Sequence, residues 1–461
     1  MKSTSIESGN KVLKDDYLID NIEDFDESEL KKKKNIRIII IISIILFVSI
    51  IAIILYLILR SKVICEIGEN EKCFSCVKNS KKCGSCNPNF KLENGTCIFI
   101  YSFEAIYKIS QSNDANDNVK LFNVESLSNY EIKKIQVDGK YIKNNTNYYK
   151  FDKEKEHKVR INIDLQNSKS LEKFFGNINE LISINFTNNF NTNYIENMND
   201  MFSSSKNLNS INISNLNTSN VRTMKNMFKS CTKLANIDIS NFELGNNKDM
   251  SNMFSQCNAL NSINFGKINT KYVLNMSNLF NDCNSLQTID LKYLNTENVE
   301  DMSNMFKNSV KLKEIDLSNF KTDRVQNMFG MFENSGVINL DLTNFETRET
   351  TNMGNMFKNC KSLSNLKLDF KTKNVENMAN MFSSCTNLTS LDISTFDMYN
   401  TKNFSNMFEN DIGLEIYIDI NRCEDLIDTL PDYFIIHDIP NIDGEINCIY
   451  DIKTTSYNTI L

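Results

Sequence analysis

The stretch NVRTMKNMFKSCTKLANIDISNF, residues 220–242, decides how this chain folds. Its Met-Phe pair recurs at Met201-Phe202, Met227-Phe228, Met253-Phe254, Met305-Phe306, Met331-Phe332, Met356-Phe357, Met381-Phe382 and Met407-Phe408. Leu279-Phe280 and Phe174-Phe175 are degenerate copies. Successive anchors lie 25, 26 or 27 residues apart. Ten copies at so regular a spacing specify a solenoid, with one coil per copy.

Each coil can be read from its apolar positions. A leucine follows the anchor, as at Leu234. Three residues on comes an apolar–polar–apolar triplet such as Ile237-Asp238-Ile239. Period-two alternation predicts a short strand with one buried face. Val221, Met224, Met227 and Phe228 stand at helical spacing, which predicts a short helix or helical turn. Thr218, Thr296, Thr322 and Thr372 are placed to cap its start. A lone coil cannot bury both ridges; stacking can. The fold class expected is therefore an α/β solenoid, a right-handed leucine-rich-repeat coil with a parallel sheet and short helices. A column of asparagines before the anchor methionine (Asn226, Asn252, Asn278, Asn304) is expected to bond turn backbones between coils.

This pattern, MFxxCxxLxxLDLSNFxTxNVxxMxN, resembles the BspA-like leucine-rich-repeat surface proteins over roughly residues 170–415. The resemblance implies a leucine-rich-repeat solenoid on a cell surface, often tied to adhesion. The chain departs from it with Ser205, Ser309, Ser335 and Asp411 at the cysteine position and Lys367 at the usual Asp or Asn.

The rest of the 461 residues reads in blocks. Residues 1–37 form a charge-segregated tail, expected to be disordered and cytoplasmic. Residues 38–59 are a near-uniform apolar run, long enough as a helix to cross a bilayer. Lys31 to Lys34 and Arg37 precede it, so the positive-inside rule predicts a type II single-pass protein of the plasma membrane, its C-terminal region outside. Residues 60–97 carry Cys65, Cys73, Cys76, Cys83, Cys86 and Cys97. In an exported segment this density predicts disulfides of unknown pairing over zinc. Its ending, CNPNFKLENGTC, resembles EGF-like or furin-like modules. Residues 98–165 alternate like a small β region capping the first coil, 166–415 hold the coils, and 416–461 read as a C-terminal cap closed by a Cys423–Cys448 disulfide. Asn94 and Asn144 are candidate N-glycosylation acceptors, in a chain rich in chance sequons.

Composition narrows the function. A net charge of −7 argues against nucleic acid as partner. With two histidines, no triad and no phosphate-cradling glycine loop, an enzyme is not expected, and no catalytic, cofactor-binding or metal residues are assigned. Cys231, Cys257, Cys283, Cys360 and Cys385 read as small packed side chains, since serine shares their slot. The candidate ligand face is the outward strand column Asn212, Asp238, Asn264, Asp290, Asp316, Asp341, Lys367 and Asp392. It could serve a basic or hydroxyl-rich ligand, bind calcium, or merely hydrogen-bond along its own ladder. The function expected is cell-surface recognition or adhesion toward extracellular protein or glycan ligands. A receptor signalling through a partner and a structural coat protein are the alternatives, and self-association is left open.

Overall fold

The computed structural model of the protein describes residue 51, then 73–76, 83–86, 90–93 and 96–99, then 101–110, 118–143, 146–152, 154–419, 422–427, 430 and 434–438. It divides into two units, Met1–Ile98 and Phe99–Leu461. In the first, β1 (Cys73–Cys76) and β2 (Cys83–Cys86) pair antiparallel. β3 (Phe90–Glu93) pairs with β4 (Thr96–Phe99).

The second unit opens with β5 (Phe103–Lys108), β6 (Val119–Lys120), β7 (Glu131–Val137), β8 (Lys140–Tyr141), β9 (Tyr148–Tyr149), β10 (Glu156–Asp164), β11 (Leu181–Phe186) and β12 (Ser210–Asn212). Asp138 and Gly139 both take positive φ, 46° and 83°, which makes the tight turn between β7 and β8. The sheet order is β12-β11-β5-β10-β7-β8. β5 runs antiparallel to β11, and β11 pairs parallel with β12, so the β region and the first coils share one sheet. Phe103 sits at its centre with no exposed surface, edge-on to Phe122, Phe174, Phe175 and Phe190.

From there the chain stacks coil on coil through β13 (Asn236–Asp238), β14 (Ser262–Asn264), β15 (Asn339–Leu342), β16 (Asn365–Leu368), β17 (Ser390–Asp392) and β18 (Glu415–Ile418). The short α1 (Glu424–Ile427) and β19 (Ile435–Asp438) follow, with β19 beside β18. Neighbouring strands keep one register, Asp238 opposite Asn264 and Asp341 opposite Lys367. The triplets at Ile289 and Ile315 hold their aspartates outward without being strands.

The anchor phenylalanines form one ladder through the core. Phe202 and Phe228 stack at 5.4 Å, Phe228 and Phe254 at 5.6 Å, and the series runs on to Phe408. The methionines beside them are buried at every coil, Met224 and Met227 among them.

The expected helices are corrected, and the fold is a β-solenoid rather than an α/β one. Around Met224 the amides split into two sets. Met227 and Lys229 donate three residues back, to Met224 and Asn226. Met224, Asn226, Phe228 and Ser230 donate instead to the next coil, to the carbonyls of Asp249, Ser251, Met253 and Ser255. No helical ladder survives that split. The backbone also turns left-handed at Asn226 (φ 58°) and again at Ser230 (φ 61°), which breaks any right-handed helix. These two positions recur down the stack, the first as Asn252, Asn278, Asn304, Gly330 and Asn355, the second as Gln256, Asp282, Asn308, Asn334 and Asn359. Turns of three to four residues place apolar side chains at the same spacing as a helix. The threonines are likewise not helix caps. Thr296 Oγ1 accepts from the Lys321 amide at 2.8 Å and donates to the Lys321 carbonyl at 2.8 Å, tying one coil to the next.

Two further expectations are corrected. Among the described residues no helix is long and apolar enough to cross a membrane, so the transmembrane helix, the type II arrangement and the plasma-membrane localisation are not supported. The run 38–59 itself lies outside the described residues apart from Ile51. Among the described residues there is also no disulfide: Cys423 is a free buried thiol. Its expected partner Cys448 lies outside them, as do Cys65 and the side chains of Cys73, Cys76, Cys83, Cys86 and Cys97. Asn94 and Asn144 fall outside as well.

Candidate functional site

The outward strand column is exposed at every member, from Asn212 through Asp238, Asn264, Asp290, Asp316, Asp341 and Lys367 to Asp392. The alternating strand pattern puts it there: Ile237 and Ile239 go inward, so Asp238 goes out. What alternation does not show is the task these side chains perform within the coil. Asp238 Oδ1 accepts the Ser240 amide at 2.9 Å, two residues on. The same bond recurs from Ser214 to Asn212, Lys292 to Asp290, Ser318 to Asp316, Thr343 to Asp341 and Ser394 to Asp392. An Asp or Asn side chain that accepts from residue i+2 makes an Asx turn. Each Asp and Asn of the column, Asn264 with the Gly266 amide included, therefore starts the corner that follows its triplet, and Lys367 has no side-chain acceptor to do so. Asp-x-Ser, Asn-x-Ser and Asp-x-Thr were its signal in the sequence.

The second carboxylate oxygens face elsewhere. Asn264 Nδ2 donates to Asp238 Oδ2 at 3.1 Å. Lys292 Nζ lies 2.8 Å from Asp290 Oδ2, and Lys367 Nζ 3.4 Å from Asp341 Oδ2. The hydroxyl and amide of Ser240 hold the Asp238 carboxyl below its usual range, and Lys292 does the same for Asp290. Asp316 and Asp392 carry no ion pair among the described residues. Repulsion along the column is thus relieved by an asparagine, two lysines and the turn amides. Among the described residues, no three His, Cys, Asp or Glu side chains gather as a metal ligand set, and the calcium option has no cage there.

The cysteine column is buried and free at Cys231, Cys257, Cys283, Cys360 and Cys385. Size alone does not explain it. Cys231 Sγ donates to the Phe202 carbonyl of the preceding coil at 3.2 Å, Cys257 to Phe228 at 3.1 Å and Cys283 to Phe254 at 3.2 Å. Ser309 Oγ makes the same bond to Phe280 at 3.0 Å. The slot asks for a small donor, which is what Cys and Ser share. Burial pushes the Cys257 thiol up to about 12 and Cys360 up to about 11, so neither is a ready nucleophile.

Sequence reading missed a second surface. Lys169, Glu196, Arg222 and Lys248 form a column of their own, because Arg222 N donates to the Glu196 carbonyl and Lys248 N to that of Arg222. With Tyr194 and four asparagines they line a groove of about 880 Å³. The repeat register shows this column once it is laid out, but neither alternation nor helical spacing marks it.

Comparison with known proteins places these observations. Two solved structures are similar to part of the chain. A leucine-rich repeat protein from Bacteroides ovatus is 15% identical over 58% of this chain and 86% of its own, with a TM-score of 0.28. A leucine rich cell surface protein from Faecalibacterium prausnitzii is 13% identical over 49% of this chain and 71% of its own, with a TM-score of 0.21. No curated protein matches the chain. No finding supports the EGF-like or furin-like reading of residues 65–97, and the family match begins only at residue 169. Residues 169–265, 249–369 and 339–422 each match that family. These matches take in more than half of the chain, and it belongs to the family described as Mycoplasma protein of unknown function, DUF285.

Proposed function

We propose that the protein is a non-enzymatic recognition protein of the adhesion type, which binds protein or glycan ligands through the exposed strand column. The observation that carries the reading is repetition in constant register. From Asn212 to Asp392, eight coils each hold one side chain outward, on a wall backed by a continuous packed core. A wall that is already ordered loses little entropy when a ligand docks. Asp316 and Asp392 present carboxylates to a cationic or hydroxyl-rich group. The cysteines, methionines and phenylalanines of the coils are occupied in packing, which favours recognition over catalysis.

The full-length chain, probed against an array of matrix proteins, mucins and glycans, should bind at least one class. Binding should weaken when Asp316 and Asp392 are both replaced by lysine. A folded chain that binds nothing on the array ends the adhesion reading. Binding that ignores the double substitution removes the strand column from it.

A further inference from the structure

The groove on the first coils lies on a different wall from the strand column and does not depend on that column binding anything. Its floor is one column of the repeat. Lys169, Glu196, Arg222 and Lys248 occupy successive coils, about 4.8 Å apart if they follow the spacing of paired strands. Three cations face one carboxylate, in a chain whose net charge is −7. Glu196 is shared, 2.7 Å from Lys169 Nζ and 3.3 Å from Arg222 Nε. That double contact pulls its carboxyl below the usual range, the Lys169 hydrogen bond first. Arg222 keeps the remaining donors of its fork, and Lys248 has no ion pair among the described residues.

The groove's side is polar in a particular way. Asn220 Nδ2 donates to the Asn193 carbonyl at 2.7 Å, and Asn246 Nδ2 to that of Ser219 at 2.8 Å. Their amide nitrogens serve the stack, which leaves the side-chain oxygens as acceptors. At the N-terminal end Tyr194 is 56% exposed, a large aromatic face with no structural need to be there.

Cations, hydroxyl acceptors and an exposed aromatic face together suit one class of ligand. We propose that this groove binds an acidic oligosaccharide. Arg222 and Lys248 take its carboxylate or sulfate, Asn220 and Asn246 accept from its hydroxyls, and Tyr194 stacks on the apolar face of a sugar ring. The site ends where the column changes. The next members are Leu274, Glu300 and Gln326, which offer an anion no charge partner. The residues that line the groove include no aliphatic side chain to receive a peptide's apolar one, and one tyrosine is too few to stack a run of bases.

The test uses the full-length chain with hyaluronan hexasaccharide (carboxylate only), heparin hexasaccharide (sulfate as well) and a neutral dextran oligosaccharide of equal length, by calorimetry at two salt concentrations. At least one acidic probe should bind and the neutral one should not; which acidic probe wins separates carboxylate from sulfate. Replacing both Arg222 and Lys248 by alanine should weaken binding by about tenfold or more. Tyr194→Ala should weaken it by several-fold, and an unchanged melting temperature in both variants shows that the fold is intact. The control Asp316→Lys, Asp392→Lys should leave this binding as it was, so failure here and failure of the strand-column reading are distinguishable. The proposal is overturned if neither acidic probe binds, if dextran binds equally, if the groove variants bind like the parent, or if single-stranded DNA or polyglutamate of the same charge binds as tightly as the sugars.

Discussion

From Ser205 to Cys385 the slot behind each anchor holds a cysteine or serine, and in the last coil it holds Asp411. Asp411 is 2% exposed, and neither of its carboxylate oxygens has a hydrogen-bond partner. Burial pushes its pKa from 3.8 to about 7, with the nearby Cys385 amide softening the shift. A protonated Asp411 carries the O–H that the slot supplies elsewhere. Because the folded pKa is raised, stability is full below about pH 4 and falls as pH rises toward 7. One pKa unit is about 1.4 kcal/mol, so the shift sets a ceiling of about 4 kcal/mol on the loss. Asp411→Ser should raise the melting temperature at pH 8 and flatten its dependence between pH 4 and 7, read by thermal melts across that range. The thiols give a second test at this scale. Cys257→Ser should change stability by less than about 1 kcal/mol, since the donor remains. Cys257→Ala leaves the Phe228 carbonyl with the Cys231 amide as its donor, so it should cost the one lost bond, about 0.5–1.5 kcal/mol, in denaturant titrations. Alkylating reagent at pH 8 should leave the native column untouched and label it after unfolding.

At the scale of the element, the left-handed positions decide what the turn-forming half of each coil is. Asn278 sits at φ 55°. Asn278→Ala should destabilise by about 1–2 kcal/mol, while Asn278→Gly should be tolerated, as Gly330 already stands in the same column. Equal effects of the two substitutions, measured by chemical denaturation, would mean that the asparagine acts through its amide and not its backbone. These residues also show what the sequence could and could not tell. The coil period was plain in the Met-Phe anchors, and the strand in the alternation about Asp238. The turns were misread because Val221, Met224, Met227 and Phe228 keep helical spacing, and the apolar pattern records which side chains go inward, not which carbonyl an amide reaches. The Asn, Asp and Gly residues of the left-handed columns were the overlooked sign. The strand column was legible as exposed, but its Asx turns lay in short-range bonds that alternation does not encode. The basic groove joins residues 26 or 27 apart whose order along the chain carries no periodic hydrophobic mark.

At the scale of the molecule, each coil touches mainly its two neighbours, so stability depends on the continuity of the stack. Phe280 lies mid-ladder, 6.0 Å from Phe254 and 5.6 Å from Phe306. Phe280→Ala should cost about 3–5 kcal/mol. It should also split the unfolding transition, because the coils on either side lose their link. Phe408→Ala, near the end of the ladder, should leave one transition; hydrogen exchange resolved along the chain separates the two outcomes. The amides that cross between coils have a further consequence. In every coil of the turn-forming wall before the last, four N–H groups reach toward the C-terminal neighbour, as Met250, Asn252, Phe254 and Gln256 reach the carbonyls of Asn275, Ser277, Leu279 and Asn281. Peptide dipoles of about 3.5 D each thus align along the stack instead of along a helix axis. That wall is an electrically polar rod, its positive pole at the last coil and its negative pole at the first, and it lengthens with every repeat added.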